Sequence, residues 1–265
     1  MIATIMMVTY NRLDLTKITF EKALKNVGDD YNLIIIDNNS EDETVNWLNN
    51  NLLKLNIPYT LIKLNKNMGI AYGRNLGLKI YDEYYDKSDY LATLDNDVVL
   101  PDNWLKRCCD VLTYNKIISA CGVNLEDAEY SKTKVKINDS GYENIQIKTV
   151  GNLGTACSVF SADVHTKLGF FDNFETYGHE DALMFNRLKF ADRRRVIAYL
   201  EEKGNHLGVG DKDAGEYREL KNKFWDINMK IFNKKIREYA NGIIPLYQKF
   251  ENYDKSLEEN IYLGK

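Results

Sequence analysis

The sequence is poor in the residues that mark linkers, disulfide scaffolds and membrane spans. Its 265 residues include 3 prolines, which excludes a proline-rich linker, and 4 cysteines, none of which forms a C-x-x-C pair. No apolar run approaches the roughly 20 residues that are needed to span a bilayer. We therefore predict a soluble chain whose thiols are reduced and buried in the core.

An excess of one charge is missing as well. The formal net charge is −4, whereas a general nucleic-acid binder usually carries a basic excess. The N-terminus has neither a basic leader nor a small-residue cleavage site, which argues against a signal peptide. We expect a cytoplasmic protein, with peripheral contact at the inner face of the membrane left open. No G-x-G-x-x-G follows the first apolar run, so a dinucleotide-binding oxidoreductase is poorly supported.

What the sequence does contain is a regular alternation of strand and helix patterns. With 44% hydrophobic residues, the chain can bury the core of one large domain, or of one domain with an appendage. Four apolar runs are continuous, as is typical of strands covered on both faces of a parallel sheet, and they lie at 2–8, 32–37, 59–64 and 90–95. Helical patterns separate them at about 14–27, 41–53 and 70–84. The alternation predicts an α/β fold with right-handed crossovers.

The second half of the chain gives fewer clear patterns. Helices are predicted at 102–114 and 180–191, and strands at 117–123, 155–161 and 195–201. The polar segment 124–150 gives no assignment. A glycine-rich loop follows the last strand, and from about residue 215 the chain reads as helix, rich in Lys, Tyr and Phe.

Polar clusters follow three of the predicted strands. Ligands of open parallel sheets bind at the carboxyl ends of the strands, so we expect the three clusters to face one crevice. The clusters are Thr9-Tyr10-Asn11-Arg12, Asp37-Asn38-Asn39-Ser40 and Asp95-Asn96-Asp97. Ser40 and Glu43 also fit a capping box at the start of the second helix.

Glycine recurs every four residues on one face of the third predicted helix. Gly69, Gly73 and Gly77 each cost about 1 kcal/mol relative to Ala inside a helix. We expect this face to let the helix approach the sheet or a ligand closely.

Asp95 and Asp97 form a D-x-D pair directly after a buried strand. Two carboxylates at this spacing repel each other unless a cation lies beside them, and such oxygen ligands suit Mg²⁺ or Mn²⁺. Two enzyme classes place D-x-D after an apolar strand. One is the nucleotide-sugar glycosyltransferases. The other is the haloacid-dehalogenase-type phosphatases, in which Asp95 would be the nucleophile and residues 210–213 would resemble a later motif.

Five segments, taken in order, favour the first class. They resemble the motifs of the family 2 glycosyltransferases, which have the GT-A fold, and together they cover roughly residues 2–210. The segments are VTYNR (8–12), IIIDNNSEDET (34–44), NKNMGIAYGRNLGL (65–78), LDNDVVLPDNWL (94–105) and GFFDNFETYGHEDALMFNRL (169–188). The phosphatase interpretation leaves the first three unexplained and expects its D-x-D near the start of the fold. The resemblance implies a mixed, mainly parallel sheet flanked by helices.

The resemblance also implies a donor site. Asp37 would accept a hydrogen bond from the nucleotide base, Tyr10 would stack near it, and Arg74 would reach a phosphate. Uridine is the base that the family favours. The full set of implied donor contacts is Thr9, Tyr10, Asn11, Asp37, Asn67, Gly69, Arg74, Asn75, Asp95 and Asn96.

For the reaction itself, the resemblance implies a bound Mn²⁺ or Mg²⁺ and a carboxylate base. Asp97 is the first metal ligand, with Asp95 and with His206 from the glycine-rich loop. Asp181 would remove the proton of the acceptor hydroxyl as it attacks, and Glu180 is the second choice for that role. A base opposite the leaving group gives inversion. The implied enzyme is a metal-dependent, inverting hexosyltransferase that uses a UDP-sugar in glycan or surface polysaccharide synthesis.

The domain organisation follows from the same resemblance. A catalytic domain would occupy residues 1–211, with the nucleotide sugar bound by 1–100 and the acceptor by 101–211, and a helical extension would occupy 212–265. The basic, aromatic helix of the extension leaves three fates open: packing on the domain, pairing of two subunits in a homo-oligomer, or contact with an anionic membrane.

The sequence leaves alternatives open for the acceptor and for the activity. We expect a carbohydrate acceptor first, and protein, lipid-linked and nucleic-acid acceptors stay open. A non-catalytic module that keeps the fold and binds a nucleotide sugar is a further alternative. The presence of both Asp97 and Asp181 argues against it.

Overall fold

The protein is built around one mixed sheet. A computed structural model describes residues 2–115, 117–125, 134–136, 145–150, 153–174, 178–191, 196–208 and 215–264. The strands are β1 (Ala3–Thr9), β2 (Tyr31–Asp37), β3 (Tyr59–Leu64), β4 (Tyr90–Asp95), β5 (Val98–Val99), β6 (Ile118–Leu125), β7 (Lys134–Lys136), β8 (Gln146–Val150), β9 (Cys157–Ser161), β10 (Val196–His206) and β11 (Glu258–Gly264). Their order across the sheet is β11-β3-β2-β1-β4-β9-β6-β10-β8-β7, with β5 paired to β10.

Helices connect the strands and cover the sheet. They are α1 (Leu13–Thr19), α2 (Thr44–Leu52), α3 (Ile70–Tyr84), α4 (Trp104–Tyr114), α5 (Ala162–Leu168), α6 (Glu180–Ala191) and α7 (Gly215–Ala240). The first of them continues into a π-helical turn at Phe20–Leu24. The helices predicted at 70–84 and 180–191 are confirmed residue for residue, and the four apolar runs are confirmed as β1 to β4.

Strand β1 shows how the apolar runs build the core. All seven of its residues are buried, and it pairs in parallel with both β2 and β4. Ile5 and Met7 pack in a cluster that includes Trp104 of α4, whereas Met6 packs on the other face with Tyr72 of α3. A strand buried on both faces must be apolar at every position, which confirms the parallel interpretation. The four cysteines are free and buried, as predicted.

Two glycines bring α3 close to β1. An added Cβ at Gly73 would lie 2.9 Å from Val8 Cγ1, and one at Gly77 would lie 3.4 Å from Met6 Cγ. The helix therefore rests on the strand with almost no space between them. This confirms that the glycine face serves close packing on the sheet.

The start of α2 differs from the prediction. The helix begins at Thr44 after Glu43, and Glu43 makes no side-chain cap, so the capping box is wrong. The Ser40 hydroxyl instead donates to Asp37 Oδ2 at 2.5 Å. The strand-end carboxylate is the stronger acceptor, and it holds Ser40 out of the helix.

Strand β10 is longer than the sequence indicated. It runs to His206 instead of ending at residue 201, so His206 lies in a strand and not in a flexible loop. Its last residues pair antiparallel with β5, and His206 lies opposite Val98. The Leu207 N–H also donates to the Asp97 carbonyl at 2.7 Å. This short antiparallel pairing places His206 beside the D-x-D pair. The sequence did not indicate it, because the glycines in this segment are typical of a loop.

Helix α7 packs on the rest of the protein, which is one of the fates left open above. Tyr239 lies in a buried cluster with Phe174 and Leu183. The fully buried Asp172 carboxylate accepts from the Lys235 ammonium at 2.5 Å and from the Tyr239 hydroxyl at 2.7 Å. No described helix is long and apolar enough to cross a membrane.

The chain returns to the sheet after α7. Strand β11 pairs antiparallel with β3 and forms one edge of the sheet. The sequence predicted helix for this region and not a strand. The segment EENIYLG lacks the regular alternation of polar and apolar residues by which a strand is recognised, so periodicity gave no signal. The domain boundaries at residues 100 and 211 stay predictions.

Candidate active site

The predicted crevice lies where three neighbouring parallel strands end. Thr9 at the end of β1 pairs with Asp37 at the end of β2, and Val8 pairs with Asp95 at the end of β4. The two aspartates therefore flank the end of β1 at the same edge of the sheet. Parallel pairing explains this arrangement, since it brings carboxyl ends together.

Asp95, Asp97 and His206 form a group of candidate metal ligands. One ligand atom from each lies within 4.8 Å of the others. His206 Nε2 lies 3.0 Å from Asp97 Oδ1. Two carboxylates and an imidazole are a donor set that fits a divalent cation of the first transition row, so the residues present fit the metal that the resemblance implies.

The turn between Asp95 and Asp97 is held by the side chain of Asn96. The Asn96 amide donates to the Thr16 hydroxyl at 2.9 Å and to the Asn11 carbonyl at 3.4 Å. The side chain of Asn96 thus points into the protein and holds the turn between Asp95 and Asp97, and its contact with the donor stays a prediction.

Arg12 is a site residue that the sequence reading did not single out. Its guanidinium Nη1 donates to Asp97 Oδ2 at 3.0 Å, and its side chain is 25% exposed. An added Cβ at Gly208 would lie 2.2 Å from the same carboxylate oxygen, so a larger residue there would displace this pair. Arg12 was visible in the VTYNR segment, but nothing in its spacing linked it to Asp97.

Arg74 joins the D-x-D pair to the acids at the start of α6. Its side chain is 4% exposed, and Nη2 donates to Asp95 Oδ1 at 3.0 Å while Nη1 pairs with Glu180 Oε1. The guanidinium lies between two carboxylates, 21 and 106 residues away in sequence. Its contact with a phosphate stays a prediction, and its contacts here hold the two halves of the site together.

Glu180 and Asp181 begin α6 in different environments. Glu180 is buried, and burial raises the pKa of its carboxyl to about 7, with the charge of Asp181 adding to the rise and Arg74 opposing it. Glu180 Oε2 is buried, and no residue in the described part of the chain forms a hydrogen bond with it. Asp181 is half-buried and accepts from the Ala182 N–H at 2.6 Å. Asp181 is therefore the more accessible acid of the two.

Asp37, the predicted contact of the nucleotide base, is buried at the end of β2. The carboxylate is fully buried and accepts from the Thr9 hydroxyl at 2.9 Å and from the Ser40 N–H at 2.8 Å, besides the Ser40 hydroxyl. Burial raises the pKa of Asp37, and these hydrogen bonds oppose the rise. Tyr10, next to it on the chain, is 37% exposed. The contact of Asp37 with a base stays a prediction, and it requires an opening beside Ser40.

The loop before α3 is tied to the end of β2. Asn38 donates to Asn67 Oδ1 at 2.8 Å and accepts from the Met68 N–H at 2.8 Å. Gly69 then starts α3 with a φ of 80°, a conformation that favours glycine. Asn67 and Gly69 therefore border the crevice.

Asn75 is directed away from that crevice. Its side chain donates to the Phe171 carbonyl at 3.0 Å and accepts from the Phe171 N–H at 2.7 Å. Both ends of the amide are thus used to hold the segment before Glu180. A direct contact of Asn75 with the nucleotide stays a prediction without a geometric basis here.

Comparison with known proteins agrees with this fold. Among solved structures, the mannosyltransferase PcManGT from Pyrobaculum calidifontis, in complex with GDP-Man and Mn2+, matches with a TM-score of 0.57 and 13% identity over 74% of this chain and 56% of that chain. TarS 1-349 from S. aureus matches with a TM-score of 0.58 and 14% identity over 78% of this chain and 61% of that chain. GalNAc-T7 with UDP, GalNAc and Mn2+ matches with a TM-score of 0.56 and 12% identity over 87% of this chain and 50% of that chain. The chain thus spans about half to three fifths of these proteins.

The fold is that of the GT-A glycosyltransferases. Residues 4–178 match the sequence profile of glycosyl transferase family 2, and the chain belongs to that family. Comparison with curated proteins gives no significant match. Family membership supports a role in glycosyl transfer and favours it over the phosphatase interpretation. At such low identity, the structural likeness itself shows the fold alone.

Proposed function

We propose that the protein is a metal-dependent, inverting hexosyltransferase that moves a sugar from a UDP-sugar to an acceptor hydroxyl. The observation that carries the proposal is the group formed by Asp95, Asp97 and His206, which lies at the carboxyl ends of the parallel strands. Arg74 connects this group to Glu180, beside the proposed base. Both reacting partners can therefore meet at one edge of the sheet.

The metal would be held by Asp97 and His206, with Asp95 completing the set or acting through water. When bound, the cation stabilises the negative charge of the departing diphosphate as a Lewis acid. The imidazole favours Mn²⁺ over Mg²⁺, because Mg²⁺ takes oxygen ligands almost exclusively. The presence of Mn2+ with PcManGT and with GalNAc-T7 supports this choice.

On the acceptor side, Asp181 is the proposed general base. It takes the proton of the acceptor hydroxyl while that oxygen bonds to the anomeric carbon and the diphosphate leaves from the opposite face. The anomeric carbon passes through an oxocarbenium-like transition state, as in glycoside hydrolysis. Glu180 fits this role less well, since its carboxylate is buried and paired with Arg74.

The donor and the acceptor are assigned to the two halves of the catalytic domain. We assign nucleotide-sugar binding to residues 1–100 and acceptor binding to 101–211. UDP is supported by the complex of TarS with UDP-GlcNAc, whereas PcManGT was solved with GDP-Man. A carbohydrate is the proposed acceptor, with the product a glycan or a surface polysaccharide.

A thermal-shift screen of UDP, GDP and ADP, each with and without Mn²⁺, tests the proposal. UDP is expected to raise the melting temperature only when Mn²⁺ is present, because a cation held by Asp97 would supply the positive charge that attracts the diphosphate. Saturation at about 100 times Kd corresponds to about 2.7 kcal/mol of stabilisation. Asp97→Asn should remove the metal-dependent part of the shift, while Asp163→Asn on α5 should keep it. An unchanged shift in Asp97→Asn would show that Asp97 is not a metal ligand. A shift with GDP and none with UDP would show that the donor nucleotide carries guanine instead of uracil.

A further inference from the structure

Arg12 and the candidate metal group share one carboxylate. Asp97 Oδ1 lies 3.0 Å from His206 Nε2, and Asp97 Oδ2 lies 3.0 Å from Arg12 Nη1. The carboxylate is only 7% exposed, so its two oxygens have few other directions in which to find partners. A divalent cation on Asp97 and the guanidinium of Arg12 would therefore lie close enough to repel each other strongly.

The backbone holds Arg12 in this position. Asn11 and Arg12 have φ values of 52° and 62°, and two consecutive non-glycine residues in the left-handed region are uncommon. The Asn11 N–H donates to the Ser40 hydroxyl at 2.7 Å, and the Asn11 side chain accepts from the Glu41 N–H at 2.8 Å. These bonds to the loop after β2 offset the strain, which is of the kind that accumulates at functional sites.

The two arginines of the site differ in their exposure to solvent. Arg74 on Asp95 is also paired with Glu180 and is 4% exposed, so it is fixed inside the protein. Arg12 on Asp97 is 25% exposed and borders the crevice. Of the two, Arg12 is the one whose guanidinium can reach an anion that enters from the crevice.

We propose that Arg12 is a positioning residue that makes cation binding at Asp97 depend on a diphosphate. Without the anion, the guanidinium opposes a cation on the same carboxylate. With the anion, the guanidinium exchanges Asp97 for a phosphate oxygen, and the cation and the diphosphate then strengthen each other's binding. The inference rests on the proposed function, because it takes a nucleoside diphosphate as the ligand of this site.

The test is a titration of free Mn²⁺, followed by electron paramagnetic resonance, with and without UDP. Arg12→Gln should bind Mn²⁺ alone about threefold to tenfold more tightly than the wild type, since a positive charge beside the ligand is removed. The gain in Mn²⁺ affinity on adding UDP should fall by a similar factor, and by reciprocity so should the gain in UDP affinity on adding Mn²⁺. Arg12→Lys, which keeps the charge, should stay close to the wild type in both.

Lys17→Gln is the matched control, because it removes one positive charge from the exposed side of α1. Arg12→Gln with unchanged or weaker Mn²⁺ binding, or with undiminished coupling to UDP, would overturn the role of Arg12. A wild-type protein that binds Mn²⁺ with no effect of UDP would overturn the proposed function instead, and the two failures are therefore separate. Thermal unfolding of each variant checks that it is folded before titration.

Discussion

Neighbouring acids at the start of α6 show how much the surroundings of a single residue decide its chemistry. Glu180 and Asp181 are equivalent in the sequence, and the dipole of the helix would favour either one. The structure separates them, since Glu180 is buried on Arg74 and Asp181 is half-exposed. The sequence could predict the pair but could not tell which acid is accessible, because the partner of Glu180 lies on α3, 106 residues away.

Asp181→Asn should keep UDP binding and lose transfer. Removal of a general base usually lowers kcat by about 10²–10⁴-fold, while the donor contacts on the other half of the site are left intact. The measurement is the Mn²⁺-dependent UDP shift together with release of UDP from the sugar donor in the presence of acceptor. Asp163→Asn, the same change in the first turn of α5, should alter neither. Normal transfer by Asp181→Asn would move the base to Glu180.

The pH dependence of stability reports on Glu180. Its pKa is about 7 in the folded protein against an ordinary value of 4.5, because burial disfavours the charged form. A raised pKa means that the folded state binds the proton more tightly than the unfolded chain does. The wild type should therefore lose stability relative to Glu180→Gln as the pH rises from about 4.5 to about 7. Urea unfolding of both proteins at pH 5, 6 and 8 measures this difference, and a difference that does not change with pH would show Glu180 to be ionised throughout.

At the scale of elements, close contact between α3 and β1 sets the position of Arg74. The sequence predicted α3 and the close packing of Gly73 and Gly77 correctly, because a four-residue glycine repeat on a helix has few uses other than close packing. It was wrong for Gly69, which precedes the helix as its N-cap.

The sequence missed the start of α2, where the carboxylate of Asp37, three residues earlier, holds Ser40. It also missed the end of β10, where pairing with the distant strand β5 extends the strand to His206. A local pattern of residues does not show a contact as distant as the second.

Gly73→Ala should destabilise the protein although Ala is the better helix former. The new Cβ would lie 2.9 Å from Val8 Cγ1, and crowding of this kind usually costs about 1–3 kcal/mol, more than the roughly 1 kcal/mol gained in helix propensity. Gly77→Ala is the matched control, because its Cβ would lie 3.4 Å from the flexible Met6. Equal midpoints of urea unfolding for the two variants would argue against tight packing at Gly73.

At the scale of the whole molecule, α7 holds the segment before α6 and α6 itself in place. The sequence predicted the helix and left its fate open, because a basic amphipathic helix can pack, pair or bind lipid. The structure supplies the missing contact in Asp172, which is buried with Arg187 and also pairs with the partly exposed Lys235 of α7. Strand β11 was not predicted at all, since a short edge strand is recognised only beside its partner β3.

Asp172→Ala should loosen α7 from the fold. It leaves the buried Arg187 without its carboxylate, and breaking such a pair usually costs about 3–5 kcal/mol. Hydrogen exchange should become faster across α7 in this variant, with smaller changes in β1 to β4. Lys234→Ala, at an exposed pair with Glu238, should change the free energy of unfolding by about 1 kcal/mol or less. Equal protection of α7 in both variants would show that Asp172 does not anchor the helix.

The central claim is that Asp97 and His206 hold a cation which binds the diphosphate of a sugar donor. Anomalous diffraction from crystals soaked with Mn²⁺ and UDP tests it most directly. The account predicts one manganese peak bonded to Asp97, His206 and the phosphate oxygens, with the uridine near the ends of β1 and β2. A manganese peak away from Asp97, or a nucleotide bound far from these strand ends, would contradict it.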